Sequence, residues 1–228
     1  KLNWWKKNII ILIGCILFSC GIFDSKDSSG IKKLYVCLQA QNQVAVYDTP
    51  SLNLLKLIDI NYSSDGNTPH FVVIDEENYF WFVTGLDGGY IAQFNLITDE
   101  FIDTIFVGSN PALMTINPIS KTLFCSRMNM SDMPGMGSMG DMGDMGGMVE
   151  TNIITEIYYT DTEMSPGREF TLQSNVLHGI TYDYNKENII TASIIDDWLY
   201  KIPLNDDPIV SNTLDPLVTE FVNNNPNN

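Results

Sequence analysis

One stretch of eight residues comes back three times along the chain. Thr68-Pro69-His70-Phe71-Val72-Val73-Ile74-Asp75 aligns with Asn110-Pro111-Ala112-Leu113-Met114-Thr115-Ile116-Asn117, and again with Val176-Leu177-His178-Gly179-Ile180-Thr181-Tyr182-Asp183. The first two copies stand 42 residues apart. The next spacing is 66, which falls to 44 once the 22-residue stretch Met128–Val149 is set aside. Between these anchors, short runs of Val, Ile, Tyr, Phe and Thr alternate with Gly, Pro, Asn and Asp turns. No helical period is sustained beyond residue 30, so the body reads as all-β. A period of ~40–45 residues with four short strands per unit is the mark of a propeller blade.

In the second unit the spacing predicts strand A over about 70–75, B over 79–84, C over 89–95 and D over 101–107. Strand B is repeated as Leu34-Tyr35-Val36-Cys37 and Leu123-Phe124-Cys125-Ser126. Strand C ends each time in turn chemistry, at Tyr47-Asp48-Thr49-Pro50, Phe94-Asn95-Leu96 and Tyr159-Thr160-Asp161-Thr162. Asx and Thr side chains that cap their own backbone account for that recurrence. With Leu34-Tyr35-Val36-Cys37, Val44-Ala45-Val46-Tyr47-Asp48 and Ile105-Phe106-Val107-Gly108-Ser109-Asn110-Pro111, the chain resembles the YVTN-type β-propeller repeat family over roughly residues 31–222. The resemblance implies a fold rather than an activity: it takes in surface-layer and binding proteins, and lactonases and copper reductases share the architecture. The expected fold is therefore an all-β propeller of four-stranded antiparallel blades. About four blades are present, three full units and a leading B-C-D piece, and they read as a fragment of a larger ring. A closed four-bladed ring, with 31–37 pairing to the C-terminal end, is the alternative.

The N-terminal residues read as an address. Lys1, Lys6 and Lys7 precede an apolar run, Ile9 to Phe18, too short for a transmembrane helix of ~20 residues and suited to a secretory signal. The run ends in Leu17-Phe18-Ser19-Cys20, which resembles a bacterial lipobox and implies lipidation at Cys20; Leu12-Ile13-Gly14-Cys15 fits the same pattern but leaves a very short apolar run. An ordinary cleaved signal with incidental cysteines is the rival reading. The expected organisation is a signal peptide over 1–19, a tether over 20–31 and propeller blades over 32–228. Cys20 would attach the chain to a membrane of the bacterial envelope, on the periplasmic side or at the cell surface, and Gly21 points to the outer membrane. With 12 Lys and Arg against 28 Asp and Glu, the formal charge is −16. Without residues 1–19 it would be −19, from 9 basic and 28 acidic residues. Such a surface lacks the clustered cations that nucleic acid requires, so no nucleic-acid partner is expected. Anionic lipid repels it, so an anchor has to hold it at a membrane.

Chemistry concentrates in one segment. Eight of ten Met lie at Met128, Met130, Met133, Met136, Met139, Met142, Met145 and Met148, every third residue from Met130 onward, with six Gly and Pro134 between them. That composition disfavours helix and strand. The segment, 128–149, falls between strands B and C of its blade and resembles the Met-rich loops of bacterial copper- and silver-handling proteins. Thioethers suit soft ions, Cu(I) above all, and Asp132, Asp141 and Asp144 add attraction for a cation. A solvated low-complexity loop, or an oxidant sink, is the plainer explanation. The only two His, His70 and His178, occupy equivalent repeat positions at strand-A starts, on the face where B–C loops open. They join the candidate metal ligands, since imidazole suits copper and zinc alike. Alternatively each satisfies a buried carbonyl.

The other candidates carry less. Cys37 and Cys125 fall on strands B of non-adjacent blades and read as unpaired thiols. Asp196-Asp197 and Asp206-Asp207 lack the spacing of a calcium loop, and Trp81 and Trp198 read as packing residues. Arg127 and Arg168 are the only Arg. There is no serine elbow, phosphate-cradling glycine motif or His-Glu zinc helix. The expected function is an envelope-anchored binding protein that captures Cu(I) or a similar soft ion, with a metal-handling or envelope protein as partner. A lactonase-like or copper-oxidoreductase-like propeller enzyme and a metal-free adhesion propeller are the alternatives.

Overall fold

The computed structural model describes residues 32–128, 153–172, 176–185, 187–194, 199–205 and 213–214. Its elements run β1 (Lys33–Leu38), β2 (Gln43–Asp48), β3 (Leu54–Asp59), β4 (Pro69–Asp75), β5 (Phe80–Gly85), β6 (Tyr90–Asn95), β7 (Phe101–Phe106) and β8 (Pro111–Asn117). There follow β9 (Thr122–Arg127), β10 (Ile153–Tyr159), β11 (Met164–Leu172), β12 (Leu177–Asp183), β13 (Asn188–Ser193), β14 (Leu199–Pro203) and β15 (Thr213–Leu214). One 3-10 turn, Gln39–Gln41, follows β1. The strands form four sheets, ordered β1-β2-β3, β4-β5-β6-β7, β8-β9-β10-β11-β15 and β12-β13-β14, antiparallel except that β15 runs parallel to β11. The second sheet matches the expected A, B, C and D strands to within about a residue at most ends.

The fourth unit shows strands A to C among the described residues, and Thr213–Leu214 adds to the outer edge of the third blade. Among the described strands, β1 pairs with β2.

The backbone repeats as faithfully as the sequence. Tyr79, Lys121 and Glu187, each at the turn into strand B of its blade, all carry positive φ, at 63°, 50° and 51°. Thr68 and Asn110, before strand A, do the same at 37° and 53°. The turns after strand C are capped as expected. Asp48 accepts from the Ser51 amide, Asn95 Oδ1 from the Ile97 and Thr98 amides, and Thr160 Oγ1 from the Thr162 and Glu163 amides.

Each central strand is buried on both faces, so its successive residues serve opposite joints. In β5, Trp81 and Val83 pack toward the first blade with Val44, Val46 and Phe94, whereas Phe80 and Phe82 pack toward the third with Ile116, Leu123 and Ile157. Phe124 of β9 turns to the fourth blade, with Ile189, Tyr200 and Ile202. Trp81 is fully buried and stacks on Phe94, centroids 4.0 Å apart and planes 8° apart. It is a packing residue, as expected. Trp198 lies outside the described residues.

Candidate functional site at the channel rim

Strand A of each full unit starts with a β-bulge. Pro69 pairs with Gly85 but Val72 with Val83; Pro111 with Arg127 but Met114 with Cys125; Leu177 with Ser193 but Gly179 with Ala192. The residues displaced from register are His70, Ala112 and His178, the three aligned positions of the repeat. A bulge re-aims the side chain it carries, and here it does so at the blade entry. The residue following each strand B closes the same end: the Leu86 amide donates to Thr68 O, Met128 to Asn110 O and Ile194 to Val176 O, at 2.9–3.0 Å.

Hydroxyls in strand B bind neighbouring blades to one another at this level. Thr84 Oγ1 accepts from the Phe71 amide and donates to Ala112 O at 3.0 Å. Ser126 Oγ accepts from the Leu113 amide and donates to His178 O at 2.9 Å. Each is the fifth residue of its strand, and that recurrence was open to reading from the sequence alone. The carbonyl of His178 is thereby satisfied by Ser126.

His70 and His178 come from non-adjacent blades, yet their ring centroids stand 6.0 Å apart with planes at 80°. Both side chains are partly buried. Gln39, from the first blade's 3-10 turn, places its side-chain amide 2.8 Å from His70 Nδ1. Whichever end of that amide faces the ring fixes the imidazole tautomer. Burial lowers the pKa of His70, and the charge of His178 lowers it further, which favours the unprotonated ring. Gln39 was missed from sequence because nothing in its own surroundings marks it. Only its place in the repeat, equivalent to Leu86 and Met128, does so.

Met128 is 5% exposed and packs with Leu86, Ala112 and Val176; it bridges to Val176. Its thioether sits in an apolar cluster at the rim, where it plants the start of the Met-rich stretch between β9 and β10, which pair antiparallel. Met130, Met133, Met136, Met139, Met142, Met145 and Met148 lie outside the described residues, as do Cys20, Asp196-Asp197 and Asp206-Asp207. Among the described residues no three His, Cys, Asp or Glu side chains gather as a metal site. Cys37 and Cys125 are free thiols, and burial pushes them up to about 11 and about 12. Arg168 forks onto the buried Glu156 at 2.8–2.9 Å. Arg127 binds Val107 O and Glu169.

No protein-family profile and no curated protein matches the sequence. Solved structures do match in shape. A putative 6-phosphogluconolactonase from Bacteroides uniformis superposes with a TM-score of 0.58 at 12% identity, over 75% of this chain and 46% of that one. The fold is a β-propeller. Hydrazine synthase of Kuenenia stuttgartiensis gives 0.56 at 12% identity, over 74% of this chain and 41% of that one. The dihydro-heme d1 dehydrogenase NirN gives 0.51 at 11% identity, over 79% and 34%. The propeller thus spans between a third and a half of the length of these structures, and at such identities the likeness concerns the fold alone.

Proposed function

We propose that this propeller is an envelope-anchored binding protein of the YVTN type, held by a lipid on Cys20, whose Met-rich segment works with His70 and His178 to capture Cu(I) or a similar soft ion. The observation that carries this reading is the convergence of the two imidazoles at the rim where Met128 plants the segment. Two imidazoles whose centroids stand 6.0 Å apart are within reach of one ion bonded to each ring at about 2.0–2.1 Å, the usual metal–imidazole distance. The lowered pKa of His70 favours the unprotonated imidazole, the form that binds metal. Thioethers from Met130, Met133, Met136, Met139, Met142, Met145 and Met148 complete a soft donor set that favours a monovalent ion over hard cations. Met128, packed in its apolar cluster, acts as the foot of the segment. The ion is cargo, so the role is sequestration or delivery within the envelope, to a metal-handling partner there.

Competition against a Cu(I) chelator tests the capture. The full chain should hold the ion at least about tenfold more tightly than a variant lacking residues 130–148, and than a His70→Phe, His178→Phe double variant. Equal affinity in all three overturns the reading. Separately, Cys20→Ser should release the protein from the membrane fraction; an unchanged distribution removes the anchor without touching the metal.

A further inference from the structure

An apolar face of the first blade stands half open to solvent. Register sorts the side chains of that blade into two sets. Tyr35, Val44, Val46 and Ile58 pack on the second blade. On the opposite face Leu34 stands across from Tyr47, and Tyr47 across from Leu54; in the next row Val36 faces Ala45, and Ala45 faces Leu57. No charged side chain interrupts these rows, in a chain of formal charge −16. Leu34, Leu54, Leu55 and Leu57 are 43–50% exposed.

The turn after β2 adds a fifth leucine. Leu52 is 64% exposed and has a φ of 54°, in the left-handed region that favours glycine, asparagine and aspartate. The same turn of the second blade has Asp99 there, with a φ of 58°; the Leu52 amide donates to Asp48 O as the Asp99 amide does to Asn95 O. The first blade thus keeps a leucine where both backbone and solvent favour a polar residue. The chain enters the blade beside this turn. Thr49 donates through its amide and its hydroxyl to Lys32 O, each at 2.7 Å. Lys32 lies twelve residues after Cys20, a length that spans at most about 43 Å.

We propose that Leu34, Leu52, Leu54, Leu55 and Leu57 form a membrane-docking face, laid on the lipid bilayer as a second hold for the anchored propeller. The inference depends on the lipid anchor at Cys20 put forward above, since the short tether is what keeps this face near the bilayer. Stable attachment takes two signals, and apolar side chains at the interface supply the second. Asp48 and Asp59 lie just beyond the two rows, so the face suits zwitterionic lipid rather than anionic lipid. Docking also orients the molecule. β1 leads from Leu34 toward Gln39, which touches His70, so the imidazole rim opens at the end of the blade away from the Leu52 turn.

The test uses the protein purified from the membrane fraction and reconstituted in phosphatidylcholine vesicles that contain a phosphatidylcholine with a diazirine on its acyl chain. After illumination, peptide mass mapping should find adducts on residues 52–57 at least about fivefold above those at Ile119, which is 85% exposed in the third blade. A Leu52→Asp, Leu54→Asp variant should lose about tenfold of that labelling and stay with the membrane. Both positions are exposed, and Asp99 shows that the turn accepts aspartate. Adducts spread evenly over exposed apolar residues, or unchanged in the variant, would overturn the docking face and leave the anchor standing. A chain absent from the membrane fraction would overturn both. Dimers in detergent solution, with residues 52–57 unlabelled in vesicles, would assign the face to a second copy instead.

Discussion

The phenol of Tyr159 donates to Asp75 Oδ2 at 2.6 Å, although the two residues stand 84 positions apart in sequence. Asp75 is 1% exposed and is also held by the Asn78 amide and side chain. The contact ties strand C of the third blade to strand A of the second. Tyrosines also bridge the neighbouring joints: Tyr35 donates to Asp99 Oδ1 at 2.7 Å, and the Asn117 side-chain amide donates to Tyr182 OH at 3.0 Å. A phenol hydrogen-bonded to a side chain of the next blade adds a directional tie to a joint whose bulk is apolar packing.

Removing that hydroxyl should therefore be felt. Tyr159→Phe leaves a buried carboxylate one donor short, which costs about 1–3 kcal/mol. Urea unfolding should show a lower midpoint with an unchanged slope, since the exposed area does not alter. Burial and the Asp75 charge also hold the phenol of Tyr159 far above its ordinary range, so it stays a donor at every pH at which the fold persists.

Ser126 offers a sharper test of the rim. Its hydroxyl joins Leu113 to the carbonyl of His178 and so positions the second imidazole. Ser126→Ala should cost about 1–2 kcal/mol in stability. It should also weaken Cu(I) capture, whereas Thr84→Val, which frees Ala112 instead, should cost similar stability and leave capture unchanged. Equal effects of the two on capture would mean that His178 plays no part.

His70 gives the fold an acid-sensitive spot. Its pKa is lowered in the folded chain by burial and by His178, against about 6.5 when unfolded. The unfolded chain therefore binds the proton more readily, and stability must fall as pH drops through about 6.5. The melting temperature of the unaltered chain should decline more between pH 7.5 and pH 5 than that of His70→Gln. Parallel curves would show that the imidazole titrates alike in both states.

Much of this was legible in the sequence because the repeat supplies its own alignment. The strands of the second blade, the capped turns at Asp48, Asn95 and Thr160, and the equivalence of His70 and His178 all follow from a period of about 42–44 residues. The meeting of those imidazoles did not follow, because sequence spacing fixes their level on the rim but not the distance across it. Gln39 was hidden for a different reason. A lone amide or hydroxyl on a strand or turn looks like any polar residue until its neighbours from another blade are known.

Cys37 occupies the strand-B position that holds Thr84 and Ser126 in the next two blades. By the repeat, a hydroxyl there would face the carbonyl of His70. Cys37→Ser should accordingly be neutral or slightly stabilising, by about 0.5–1.5 kcal/mol if the new hydrogen bond forms. The substitution also separates thioethers from thiols as the soft donors. Burial holds Cys37 at about 11 and Cys125 at about 12, so neither is a thiolate near neutral pH, the form that binds metal. Peptide mass mapping after alkylation at pH 7.5 should find both unmodified in the native chain and modified after unfolding. A Cys37→Ser, Cys125→Ala variant should then compete for Cu(I) as well as the parent does. If its affinity collapses while the fold is retained, the sulfur that matters is thiol, and the Met-rich segment loses its assigned role.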